Sequence, residues 1–166
     1  MQIRPVRSEE YGPLGKLTVA AYRTLERPPT PEYAAVLADV AARTREADVL
    51  VAVDEHGDLL GGVTYVGDPG SRFAEFEAAD EACFRMLAVD PAARGHGVGG
   101  ALVEACIQRA RAEGKRALTL YTTDHMVGAQ QLYQRFGFHR AAERDIILDS
   151  GLVLRSYILE LHENRH

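Results

Sequence analysis

Several features that would define a functional class are missing from this chain. It has two cysteines, Cys83 and Cys106, and no paired CxxC sets, which argues against a disulfide scaffold or a cysteine-built metal centre. Both lie inside apolar runs and read as buried thiols of a reducing compartment. Positive charge is not in excess, since 19 Lys and Arg face 24 Asp and Glu, for a net charge of -5. A nucleic-acid partner, which wants a basic face, is therefore not expected, while a cationic substrate is compatible. No apolar run approaches the ~20 residues of a membrane span. Met1-Gln2-Ile3-Arg4-Pro5 has no signal-peptide character, so the expectation is a cytoplasmic protein without a membrane partner. Repeats, low-complexity tracts and linkers are also missing, and 166 residues are read as a single domain, 1–166.

What is present has the patterning of a mixed α/β domain. Residues 2–6 read as a strand with Ile3 and Val6 inward. Ser8-Glu9-Glu10 opens a helix striped by Leu14, Leu17, Ala21 and Leu25. Thr30-Pro31 is an N-cap and first-turn pair for one further helix, striped by Tyr33, Val36, Leu37, Val40 and Ala41. Val49–Val53 and Leu59–Val66 form a hairpin about Glu55-His56-Gly57-Asp58. An acidic stretch with Glu75, Glu77, Asp80 and Glu81 leads into a strand at 82–89. Then come a glycine-rich loop, a helix at 98–113 stopped by Gly114, a strand at 117–122 and a helix at 127–135 ending at Gly137. Two closing strands are expected near 138–148 and 152–161. This order predicts a mixed, largely antiparallel sheet flanked by helices.

Arg94-Gly95-His96-Gly97-Val98-Gly99-Gly100 is the segment richest in chemistry. Strand, glycine loop and helix start together expose unpaired backbone N–H groups at the positive end of a helix dipole, which is an anion site. A P-loop is not expected, because Gly114-Lys115 is followed by Arg116 and lacks the upstream glycine, and Gly15-Lys16 is followed by Leu17. Gly95, Gly97 and Gly100 do spell GxGxxG, with Asp124 after the next strand, so a dinucleotide-binding oxidoreductase is an alternative. Against it, Asp90-Pro91-Ala92-Ala93-Arg94 separate strand from glycines, and too little chain follows Asp124 for the remaining βαβ units.

Val89-Asp90-Pro91-Ala92-Ala93-Arg94-Gly95-His96-Gly97-Val98-Gly99 resembles the pyrophosphate-loop motif of the GNAT superfamily of acyl-CoA N-acyltransferases, with Arg94, Gly97 and Gly99 at its three defining positions. Ala129-Gln130-Gln131-Leu132-Tyr133-Gln134-Arg135-Phe136-Gly137-Phe138 is similar to the same family's helix-to-strand element. The resemblance implies a GNAT-like fold of class α/β (α+β) and an acetyl-CoA-dependent N-acetyltransferase working by direct transfer in a ternary complex. Acetyl-CoA is the co-substrate, no metal is implied, and a homodimer is compatible.

By the same resemblance, backbone N–H groups of Gly95, His96, Gly97, Val98, Gly99 and Gly100, with Arg94, hold the coenzyme A pyrophosphate. The backbone of Leu87, Ala88 and Val89 pairs with the pantetheine arm, and a backbone N–H there, assigned to Leu87, stabilises the oxyanion. Tyr133 is the proton donor to the departing thiolate; a phenol near pKa 10 can protonate a thiolate near 8.5. Met126 stands where the family often carries a cofactor-orienting asparagine, a contact that Thr123 or Asp124 could supply instead. Glu81 is the choice for general base, and the acidic cluster as a whole could draw an ammonium group. A non-catalytic acyl-CoA sensor on the same fold is the other alternative. The acceptor, a small-molecule or peptide amine, stays open among polyamine, amino acid, antibiotic amine and protein N-terminus.

Overall fold

A computed structural model describes residues 1–123 and 127–161. Asp124, His125, Met126, His162 and His166 therefore lie outside the described residues, and with them the two candidate cofactor contacts at 124 and 126. The strands are β1 (Gln2–Pro5), β2 (Asp48–Val53), β3 (Leu59–Val66), β4 (Glu81–Val89), β5 (Ala117–Thr122), β6 (His139–Arg140), β7 (Ile146–Ile147) and β8 (Val153–Glu160). The helices are α1 (Tyr11–Arg23), α2 (Pro31–Ala38), α3 (Val40–Thr44), α4 (Val98–Ala112) and α5 (Val127–Arg135). One sheet runs β1-β2-β3-β4-β5-β8-β6, with β7 paired to β8. Among the described residues only β4 and β5 are parallel; the other pairs are antiparallel.

The sheet is covered on both faces, which is why β2, β3 and β4 are nearly continuous apolar runs. One face carries α4 and α5. Val98, Leu102, Val103, Cys106, Ile107 and Ala110 recur along α4 at helical spacing and pack on Phe84, Leu118 and Leu120. The other face carries α1 to α3, with Leu14 and Val40 against Val51, and Leu37 against Val66, Phe73, Cys83 and Met86. Gly15 is what lets α1 and α2 touch, since a Cβ there would run into the Ala38 carbonyl. Both cysteines are buried free thiols.

Three expectations about the elements need correction. The first helix begins at Tyr11, after a single tight turn at Ser8–Glu10 whose Glu10 is drawn to Arg4 in a two-pronged ion pair. The helix expected through residue 41 is two helices. Asp39 leaves helical geometry (φ -88, ψ 72), and its carboxylate accepts from the Ala42 N–H to start α3. The first closing strand is interrupted by a turn at Ala142–Arg144, which splits it into β6 and β7. Arg144 leaves the sheet there because its guanidinium is recruited by Glu81, 63 residues away in sequence.

Candidate active site

The loop after β4 is organised by its own sequence. The Asp90 carboxylate accepts from the Ala92 N–H at 3.0 Å, folding Pro91–Ala93 into a tight turn that delivers Arg94 to the rim. Gly95 (φ +84) and Gly97 (φ +78) then adopt the left-handed backbone that L side chains resist. The space where their Cβ atoms would sit is open. Gly97 caps α4, and no acidic residue occupies the first turn of that helix. The positive end of α4 therefore faces a cleft of about 590 Å³ lined by Arg94, Gly95, Gly97, Val98, Gly99 and Gly100. Arg94 Nη2 donates to Thr24 Oγ1 at 2.6 Å, tying the loop to the end of α1. His96 does not line this cleft; it borders a separate hollow of about 410 Å³ with Asp54 and Glu55.

The cleft continues along β4 past Val89, Ala88 and Leu87. The parallel ladder between β4 and β5 has only three rungs, Glu81↔Ala117, Ala82↔Leu118 and Cys83↔Thr119. Beyond Cys83 the strands part, so among the described residues the C-terminal half of β4 has no ladder partner on that side. On its other side, β3 pairs Gly62 with Ala88 and Thr64 with Arg85, so Val63 faces both Met86 and Leu87. This bulge is accommodated by Met86 at φ +56, the one positive-φ residue that is not glycine among those described. It re-aims the backbone of Leu87 at the place where the seam opens.

Tyr133 lies one helical layer away. It is 6% exposed and forms an edge-to-face triangle with Phe84 and Phe138, at centroid distances of 5.7 and 6.0 Å. Burial raises its phenol well above the ordinary value, which keeps the proton on oxygen at any working pH. Leu132, the neighbour of Tyr133, comes within 3.3 Å of where a Cβ on Gly99 would sit, so α5 closes tightly over the start of α4.

Glu81, the residue expected as general base, sits in a sealed cluster of donors. Glu81 is 0% exposed, and its carboxylate accepts two bonds from Arg144 (3.1 and 2.8 Å), one from Arg116 (3.0 Å) and two from the Glu77 and Ala78 N–H groups. Burial works against the charge, but these donors prevail and hold the carboxyl below its usual range. A sealed carboxylate that holds its charge this strongly is a poor proton acceptor. It sits, moreover, at the start of β4, away from Leu87. The acidic cluster is not a bare attractor of ammonium groups either, because Glu75, Glu77 and Asp80 pair with Arg85, Arg144 and Arg116.

Glu75 differs from the other three. Its carbonyl accepts from Thr119 Oγ1 at 3.3 Å, and Thr119 belongs to the last rung before β4 and β5 part. Its carboxylate meets Arg85 Nε at 2.7 Å with 27% of the side chain exposed, and burial raises its pKa above the ordinary value. Tyr22, Tyr33 and Arg85 lie on the same face; the two tyrosine rings meet edge to face at 6.2 Å. Sequence reasoning missed Tyr22 and Thr24 as lining residues, because the end of an amphipathic helix carries no motif. Arg85 was missed inside an apolar strand, where a lone cation was the available signal.

The family model for the acetyltransferase (GNAT) family matches residues 16–138, spanning both the anion loop and the Leu132-Tyr133 segment. The chain belongs to the GNAT acetyltransferase family. Among relatives of this GNAT chain, the mycothiol acetyltransferase of Cellulomonas flavigena is 35% identical over 111 residues, 63% of this chain. The alignment covers only 32% of that protein's own length. Among solved structures, the acetyltransferase yncA of Salmonella typhimurium, determined with its cofactor acetyl-CoA, is 21% identical with a TM-score of 0.70, covering 99% of this chain and 96% of its own. The ribosomal-protein-alanine N-acetyltransferase of Brucella melitensis is 21% identical with a TM-score of 0.72, covering 97% of this chain and 100% of its own. Likeness at that identity establishes the shared fold. No helix among the described residues is long and apolar enough to cross a membrane.

Proposed function

We propose that this chain moves an acetyl group from acetyl-CoA to a primary amine by direct attack within a ternary complex. The observation that carries the reading is the continuity of two features: the unpartnered amides at the start of α4 run directly into the open seam of β4. A ligand with a diphosphate at one end and an amide-rich arm at the other fits both. In this reading the N–H groups of Gly95 and of Gly97 to Gly100, with Arg94, hold the pyrophosphate. The backbone of Leu87, Ala88 and Val89 pairs with the arm, and the Leu87 N–H faces the thioester oxygen where negative charge develops.

The amine nitrogen attacks the thioester carbon, the C–S bond breaks, and the sulfur takes a proton from the Tyr133 phenol. Glu75, in place of Glu81, receives the proton that leaves the nitrogen. Its raised pKa brings it closer to the range in which a carboxylate works as a base at neutral pH. Cys83 and Cys106 take no part, because both thiols are buried and burial raises their pKa values.

The test is calorimetric titration with coenzyme A, followed by thiol release from acetyl-CoA over a broad amine panel, for the wild type and Tyr133→Phe. The expected result is a Kd unchanged by the substitution and a kcat reduced about 100-fold. Unchanged turnover would remove the donor role, and binding without turnover of any amine would leave an acyl-CoA-binding module.

A further inference from the structure

The face of the sheet that carries Glu75 also carries an unbalanced positive charge. Arg43, on α3, is 1% exposed, yet among the described residues no carboxylate hydrogen-bonds to it. Nη1 donates to Thr64 Oγ1 at 2.8 Å, Nη2 donates to the Leu37 carbonyl at 2.9 Å, and Nε has no partner. Thr64 is the β3 residue directly opposite Arg85 on β4. The two side chains of such a rung share one face with Cβ atoms about 5 Å apart, so the Arg43 guanidinium is held beside the stem of Arg85. The two arginines are therefore close enough for their charges to oppose each other, and among the described residues the carboxylate that forms an ion pair with either is that of Glu75. Asp39, exposed at the start of α3, offsets the charge only from the surface.

A buried cation with a donor left over is costly, as are like charges held close together away from water. The arrangement is relieved by an anion arriving on Arg85. Arg43 is sealed and acts only through its field, whereas Arg85 is 20% exposed and can touch a ligand. Its Nε serves Glu75, Nη1 reaches the Phe73 carbonyl at a long 3.4 Å, and the Tyr33 hydroxyl stands beside it. Among the described residues three of its five N–H donors are engaged, and the fork geometry of a guanidinium suits a carboxylate.

We infer that the acceptor is an amine carrying a carboxylate close to its amino group, an amino acid in the general sense, with Arg85 receiving the carboxylate and Glu75 the amine. The two side chains satisfy each other at 2.7 Å; the acceptor slips between them and gives each a partner of the same charge type. Arg43 supplies the second positive charge behind the anion. Tyr22 and Tyr33 flank the pair, so the rest of the acceptor meets aromatic edges.

This inference rests on the transferase reading, and its test separates the two. Thiol release from acetyl-CoA is measured with the common L-amino acids, each set beside its amide, which keeps the amine and the side chain but removes the carboxylate charge. The expected result is that at least one amino acid exceeds its amide by about tenfold or more in kcat/KM. In Arg85→Met the ratio falls to near unity while the Kd for coenzyme A stays unchanged, and Arg85→Lys recovers part of it. The wild-type comparison decides even where Arg85→Met fails to fold. Equal use of acids and amides, or turnover of uncharged amines with no amino acid accepted, overturns the assignment and leaves the transferase reading standing. Absence of coenzyme A binding removes both.

Discussion

Replacing Glu81 with alanine separates a structural carboxylate from a catalytic one. The substitution deletes an acceptor that serves two arginines and two backbone N–H groups in a site with no solvent access. Removing one partner of a buried ion pair costs about 3–5 kcal/mol. Arg116, with half its side chain exposed, can turn to water and Arg144 can do so in part, so the lower figure applies. With an unfolding entropy of roughly 2.1 cal/mol/K per residue over this length, about 3 kcal/mol lowers Tm by about 9 °C. The sign with pH follows from the depressed pKa. The contribution is present above the ordinary value of 4.5 and is lost as pH falls through the lower folded value. Differential scanning calorimetry of wild type and Glu81→Ala at neutral pH and near pH 3 should therefore show a gap that narrows on acidification. At temperatures where both are folded, kcat should agree within about twofold, since a base would be worth about 100-fold or more. A Tm within a degree of wild type, or a large loss of kcat in folded protein, would refute the structural assignment.

Two further outcomes follow from the loop and the thiols. Gly97→Val puts a branched side chain at φ +78, a strain of about 1–2 kcal/mol or more, at the mouth of the anion site. Gly114→Val imposes similar strain at φ +71 just past the far end of α4, so both variants should lose stability while only Gly97→Val loses coenzyme A affinity, about tenfold by calorimetry. Equal affinities in the two would remove the loop from the site. With Cys83 pushed up to about 12 and Cys106 higher still, native protein at pH 8 should resist iodoacetamide until unfolded, as read by intact mass; native alkylation with loss of turnover would reopen a cysteine route.

The parts of the molecule that could be read from the sequence are those decided within a few residues. The β2–β3 hairpin turn, the glycines that stop α4 and α5, and the Asp90-Pro91 turn into the anion loop are local devices, and they stand where the pattern put them. What could not be read depends on distant partners. Asp39 looks like any polar residue of a helical stripe until its carboxylate is seen capping α3. Glu81 and Glu75 are indistinguishable in the string; one is sealed by arginines from 35 and 63 residues away, and the other meets its arginine at the edge of the seam. Arg43 carries no motif, and its importance lies in what fails to meet its Nε. Met86 is an ordinary apolar strand residue whose backbone strain only the register of β3 reveals.

The parting of β4 from β5 also bears on the life of the empty protein. A row of unpaired N–H and C=O groups in mid-sheet is a template for any stray extended chain, the hazard that edge strands present elsewhere. Here that template lies in the interior of the sheet, between β4 and β5, and cannot be blunted by charge without losing the cleft. Whatever occupies the seam therefore acts as the missing strand of the fold. Occupancy and shelf life become linked, and a starved molecule is the one exposed to strand capture and aggregation.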